Sequence, residues 1–137
     1  MLRVLLCCMG GFSSGAMVQK VKKDIENSEY KELMMIEFHD FHTSFEVMDQ
    51  YDIIMTCPHL RYLIPDFVKK YQPKIPIYTL PPKLYGAMTP KSIYEDCSDV
   101  IEGFKKDGRN PWCFEGEEST LRVKRAVSHR DYLAGKK

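Results

Sequence analysis

The stretch Leu6-Cys7-Cys8-Met9-Gly10-Gly11-Phe12-Ser13-Ser14-Gly15 sets a nucleophile beside groups that bind an anion. Adjacent glycines Gly10 and Gly11 let the backbone fold tightly and aim several N–H groups into one concavity. Ser13 and Ser14 add hydroxyl donors and can cap a helix starting there. Such a nest binds a dianion such as phosphate, and the positive end of a helix dipole adds to the attraction. A cysteine at its mouth, Cys8, gains a favoured thiolate from the same groups, and a phosphoryl group arriving on its sulfur would find donors for its oxygens. No Asp or Glu precedes Asp24, while Arg3, Lys20, Lys22 and Lys23 all do. On spacing alone the segment also fits an inert, buried cysteine at a strand end, followed by ordinary turn and cap chemistry.

Other cysteine and glycine chemistries lack their partners. The segment carries neither the G-x4-G-K-[ST] pattern of a nucleotide P-loop nor a G-x-G-x-x-G fingerprint. Low-molecular-weight phosphatases and arsenate reductases need a C-x5-R loop, in which arginine clamps the anion. Here the sixth residue after Cys8 is Ser14 and after Cys7 is Ser13, and no arginine lies between Arg3 and Arg61. The late segment Leu80 to Lys91 also has no acidic residue to serve as a general acid. Hydrolysis therefore lacks its machinery, whereas transfer does not require it. A redox pair of Cys7 and Cys8 is disfavoured because adjacent cysteines bridge only with strain. No metal site is expected: His39 and His42 have no cysteine nearby, and Cys57 with His59 is a lone C-x-H.

The elements that must position this segment alternate between strand-like and helix-like patterns, as in a parallel sheet covered on both faces. Leu2 to Leu6 reads as a first strand and Ser13 to Asn27 as a helix, with Met17, Val21 and Ile25 recurring every four residues. Leu33–Phe38, Asp52–Thr56 and Ile75–Thr79 read as three further strands. Between the first two of these, Asp40 to Gln50 holds a short helix on Phe45 and Met48. Pro58 opens a helix that Pro65 should kink or split. Leu80 to Thr89 reads as a loop, and Thr89-Pro90 as the start of a helix burying Ile93, Cys97, Val100, Ile101 and Phe104.

The 137 residues suit one core, and 44% hydrophobic with 28% charged residues is ordinary for a folded soluble chain. A net charge of +1 gives no reason to expect nucleic acid or direct membrane insertion. The N-terminus lacks a signal-peptide layout and no long apolar run exists, so a cytoplasmic location with reduced cysteines is expected. Composition shifts after Lys106, giving a folded unit over 1–106 and a charged extension over 107–137. Within that extension Glu117 to Leu133 can form a loose helix, and Trp112 with Phe114 can dock on the domain.

Cys8-Met9-Gly10-Gly11-Phe12-Ser13-Ser14 resembles the C-x-x-G-[MF]-S-[ST] loop of lactose/cellobiose-type IIB components of the bacterial phosphotransferase sugar-uptake system. Asp52 to Pro65 resembles that family's segment of Asp, a hydrophobic run and G-P-Q-x-x-Y-x-x-P, and Leu84-Tyr85-Gly86 is similar to a third loop. The resemblance runs in order from residue 1 to about 106. It implies a three-layer α/β/α sandwich with a four-stranded parallel sheet, acting as a monomer without a cofactor. It further implies that Cys8 takes a phosphoryl group from a phosphohistidine of a IIA protein and passes it to a sugar on the membrane IIC permease. Met9, Gly10, Gly11, Phe12, Ser13, Ser14 and Gly15 would then cradle the phosphate, with Pro58, His59, Tyr85 and Gly86 on the rim. Cys57 and His59 stand where the family has glycine and glutamine. A phosphatase-like or regulatory module of the same fold is the alternative.

Overall fold

The computed structural model describes residues 1–8, 12–119 and 122–135, with side chains for all of these except 12–15. Four apolar segments form strands: β1 (Leu2–Cys8), β2 (Met34–Asp40), β3 (Ile53–Thr56) and β4 (Ile77–Thr79). They make one sheet in the order β2-β1-β3-β4. Every pairing is parallel, with Val4 facing Ile36 on one side and Ile53 on the other. β1 lies inside the sheet, and Val4, Leu5, Leu6 and Cys7 are all buried, which is why it reads as a continuous apolar run.

Alternation along β1 divides the core in two. Val4 and Leu6 pack with Val18, Val21 and Ile25 of α1 (Phe12–Glu26), as they do with Ile93, Cys97 and Val100 of a long C-terminal helix. Leu5 and Cys7 pack on the opposite layer with Phe41, Ile54, Ile64 and Phe67. The result is a three-layer α/β/α sandwich around a four-stranded parallel sheet. At its amino edge Asp52 accepts hydrogen bonds from the Arg3 amide (2.8 Å) and guanidinium (3.1 Å), fixing the start of β3 against β1. Partial burial would raise the Asp52 carboxyl, but the bonds from Arg3 outweigh it and hold the carboxyl below its ordinary value.

Several boundaries differ from the sequence expectation. β1 extends past Leu6 because Cys7 and Cys8 still pair with His39 and Asp40 of β2. The span from Asp40 to Gln50 is two 3-10 helices, Phe41–Glu46 and Met48–Gln50, instead of one short helix. The Asp40 carboxylate accepts from the His42 N–H, and the buried Ser44 hydroxyl donates to the Phe41 carbonyl, which favours the tighter turn. Pro65 does split its helix, into a 3-10 helix at Pro58–Tyr62 and α2 at Ile64–Tyr71. The proline-rich loop after β4 contains a short helix, α3 (Pro82–Gly86), opened by a proline in its first turn. Thr89 and Ser92 form a reciprocal capping box at the start of α4 (Pro90–Asp107), which ends at Gly108 with φ 67°.

Beyond Gly108, the helix expected over 117–133 reduces to α5 (His129–Leu133), and residues 120 and 121 within that expected helix lie outside the described residues. Side chains hold the rest of the segment in place. Asn110 accepts from the Ile77 N–H (2.8 Å) and donates to the Ile75 carbonyl (2.9 Å), while the Trp112 N–H bonds to the Ile77 carbonyl (2.9 Å). These contacts cover the outer edge of the three-residue strand β4. Trp112 and Phe114 are buried in the core, edge to face with centroids 5.1 Å apart. Arg125 is also buried, and donates to Asp96 (2.8 Å), Tyr78 (2.7 Å), Glu117 (2.7 Å) and the Val127 carbonyl (2.8 Å).

Two substitutions test this packing. Gly→Ala in an exposed helix interior stabilises by about 1 kcal/mol, but a Cβ on Gly103 would fall 2.2 Å from the Trp112 ring. Gly103→Ala is therefore expected to lower the unfolding midpoint and red-shift the emission of the single tryptophan; a higher midpoint with unchanged emission contradicts the docking. Arg125→Ala leaves Asp96 buried without its cation, so urea unfolding should show a loss of about 3–5 kcal/mol.

Candidate functional site

The connection from β1 leads outward to β2, and that from β3 leads outward to β4, so the strand order reverses between β1 and β3. In an open parallel sheet, ligands bind in the crevice at the carboxyl ends of the strands flanking such a reversal. Cys8 is the last residue of β1, and Cys57 directly follows β3. Register makes them neighbours: Cys7 faces Thr56, and the Cys57 N–H bonds to the Cys7 carbonyl (3.3 Å). The two sulfurs are 2.8 Å apart. Tyr85, on α3 after β4, brings its hydroxyl to 4.0 Å from the Cys8 sulfur.

The three cysteines at this edge differ in setting. Cys8 is half-buried, whereas Cys7 and Cys57 are fully buried. Burial, first, and then the hydrogen bond and charge of Cys8 push the Cys57 thiol up to about 12, against a smaller pull from the N–H groups of His59 and Leu60. Cys57 thus keeps its proton at neutral pH, and either sulfur can be the donor in its contact with Cys8. Burial likewise pushes Cys7 up to about 12, with the Ser44 hydroxyl opposing. Cys7 faces the core with Leu5 and stays protonated, so it is a packing residue.

Helix α1 begins at Phe12, shortly after Cys8, and has no acidic side chain in its first turn. Its positive end therefore lies at the same edge as the thiol. Met9, Gly10 and Gly11, expected to cradle an anion, lie outside the described residues, as do the side chains of Phe12, Ser13, Ser14 and Gly15. Of the expected rim, Pro58 is buried at the start of its 3-10 helix, and His59 is exposed on the following residue. Tyr85 is half-buried beside Cys8, and Gly86 is exposed with open space where a Cβ would stand.

Sequence reasoning noted Cys57 as a departure near the strand end but missed its contact with Cys8. The two are 49 residues apart, and only the strand order makes them adjacent. It also missed Asp40, which faces Cys8 across β1 and β2 while its carboxylate caps His42. A groove of about 420 Å³ lies one strand away, lined by Arg61, Tyr78, Thr79, Trp112 and Glu117, and does not include Cys8. Among the described residues there is no cluster of three metal-ligating side chains, and no helix is long and apolar enough to cross a membrane.

A thiol at the switch point of a parallel α/β sheet, next to a helix N-terminus, is the class of arrangement in which such folds can bind ligands. More particularly, residues 3–96 match the family of the PTS system, lactose/cellobiose specific IIB subunit, and the chain belongs to that family. Membership makes it a component of the phosphotransferase system, with the general phosphotransferase role of a IIB subunit working with IIA and IIC components. The match runs from β1 into α4 and stops before the segment bearing Trp112 and Arg125. Among solved structures, the chain is similar to the lactose-specific IIB component domain of the phosphoenolpyruvate:carbohydrate phosphotransferase system from Streptococcus pneumoniae. That likeness has 17% identity and a TM-score of 0.48, and covers 79% of this chain and 98% of the other. No curated protein sequence matches the chain.

The thiol settings make a direct prediction. Iodoacetamide at neutral pH should label Cys8 well ahead of Cys7, Cys57 and Cys97, the last also held well above its ordinary value by burial. Peptide mapping of the alkylated, folded protein reads the order, and equal labelling of Cys8 and Cys57 contradicts the assignment.

Proposed function

We propose that this IIB protein carries a phosphoryl group on Cys8 during sugar uptake. The Cys8 sulfur attacks the phosphorus of a phosphohistidine on IIA; the S–P bond forms as the N–P bond breaks and the histidine is released. A hydroxyl of the sugar on the membrane IIC permease then attacks the phosphorus, breaking the S–P bond and returning the thiolate while the hydroxyl proton passes to water. Such transfer depends mainly on positioning and charge stabilisation, so neither a metal nor a cofactor is required. The observation that supports the reading best is the position of Cys8 at the carboxyl end of β1, at the strand-order reversal and just ahead of the fifteen-residue helix α1.

In this reading Met9 to Gly15 supply backbone N–H groups and the Ser13 and Ser14 hydroxyls to the phosphate, as the positive end of α1 attracts it. Pro58, His59, Tyr85 and Gly86 form the rim, and the Cys57 S–H helps to hold the acceptor sulfur. The carrier unit spans 1–106, with 107–137 as an extension whose Trp112, Phe114 and Arg125 pack upon it. The protein works as a monomer at the cytoplasmic face of the membrane, reached through the permease. The permease selects the sugar, a β-glucoside or a disaccharide such as cellobiose, chitobiose or lactose.

Incubation with phosphorylated cognate IIA, followed by mass spectrometry at neutral pH, tests the reading. The phosphoryl group is expected on Cys8, lost in Cys8→Ser and retained in Cys7→Ser. Label on His59, or hydrolysis of a generic aryl phosphate in place of transfer, would overturn it.

A further inference from the structure

The Cys8–Cys57 contact has a second chemistry open to it. The sulfurs at 2.8 Å have less than ~1 Å to travel to a disulfide, whose bond is about 2.05 Å. They sit at the carboxyl ends of neighbouring parallel strands, Cys8 closing β1 and Cys57 directly following β3, where a lateral spacing of about 4.8 Å falls within the ~4.4–6.8 Å Cα range of disulfides. Half-buried Cys8 is open to a small oxidant, whereas Cys57 is fully buried directly beside it. That is the layout of an attacking and a resolving cysteine. Cys7 is a poorer partner for Cys8, because neighbours in sequence bridge only with strain.

We infer that Cys8 and Cys57 form a reversible disulfide when the protein meets hydrogen peroxide, and that this modification withdraws the Cys8 sulfur from phosphoryl transfer. The Cys8 thiolate attacks one peroxide oxygen; the S–O bond forms, the O–O bond breaks, and the departing hydroxide takes a proton to become water. The Cys57 sulfur then attacks the Cys8 sulfenic acid as its own proton leaves. The S–S bond forms, the S–O bond breaks, and a second water is released. The two sulfurs lose two electrons in total, and the peroxide gains them. A dithiol such as dithiothreitol reverses the change by thiol–disulfide exchange. In a reducing compartment such a bond is transient, which suits a sensor. A phosphoryl group on Cys8 would block the first step, so phosphorylation and oxidation compete for one sulfur.

The loss of transfer rests on Cys8 being the phosphoryl acceptor; the disulfide itself does not. The full-length protein is treated with hydrogen peroxide, blocked with N-ethylmaleimide, digested without reductant and mapped by mass spectrometry. The expected product is a crosslink between the Cys8 and Cys57 peptides, lighter by two hydrogens and removed by dithiothreitol. Acceptance of phosphoryl from phosphorylated IIA should be lost with the crosslink and return with the reductant. In Cys57→Ala, peroxide should carry Cys8 on to the sulfinic and sulfonic acids, which dithiothreitol does not reverse. A crosslink in a protein that accepts no phosphoryl when reduced upholds the disulfide and overturns only the acceptor role of Cys8. Oxygen-adducted Cys8 with Cys57 still alkylatable in the wild-type chain, or a crosslink that bypasses Cys57, overturns the inference.

Discussion

The reversal of strand order between β1 and β3 is the constraint on which the site depends. A sheet ordered β2-β1-β3-β4 sends its two halves outward from that line and leaves their carboxyl ends side by side. Cys8 and Cys57 come from segments far apart in the chain, yet parallel register carries them to contact. The same geometry puts the start of α1 at this edge and brings Tyr85 in from the connection after β4. At the opposite edge, the Arg3–Asp52 pair fixes β3 against β1. A slip by one residue would exchange core and outer faces and separate the thiols.

The C-terminal segment supports this sheet from the other side of β4. That strand has only three residues, and Asn110 and Trp112 occupy its outer edge through backbone bonds. Arg125 ties the segment to Tyr78 on β4 and Asp96 on α4 together. The Tyr78 hydroxyl in turn donates to Asp96 (2.9 Å), so the buried charges sit within a connected set of hydrogen bonds. Among the described residues, no buried side-chain nitrogen or oxygen lacks a partner. The family match ends before this segment, so this bracing is a feature of the chain beyond the matched region.

Much of the sandwich was legible because its signals are local. Apolar runs gave the strands, Thr89-Pro90 gave the start of α4, and Pro65 marked the division ahead of α2. What was not legible depends on distant partners. The length of β1 depends on pairing with His39 and Asp40, which the loop-like Cys7-Cys8 gives no hint of. Trp112 docks because Gly103 leaves room on α4, and a mid-helix glycine in sequence only looks unfavourable. Arg125 and Asp96 lie 29 residues apart in sequence, and only the fold brings them together. For the site, Cys8 stood out by its setting, whereas Cys57 read only as a departure from the family's glycine. Its value as a partner appears only once the strands are ordered.

Phosphorus-31 NMR of the protein after exposure to phosphorylated IIA tests the central claim most directly, because it reports the bond made to phosphorus. The account predicts one resonance in the range of S-phosphorylated thiols, present in the wild-type chain and absent from Cys8→Ser. A resonance in the range of phosphorylated imidazole, arising from His39, His42, His59 or His129, would contradict it.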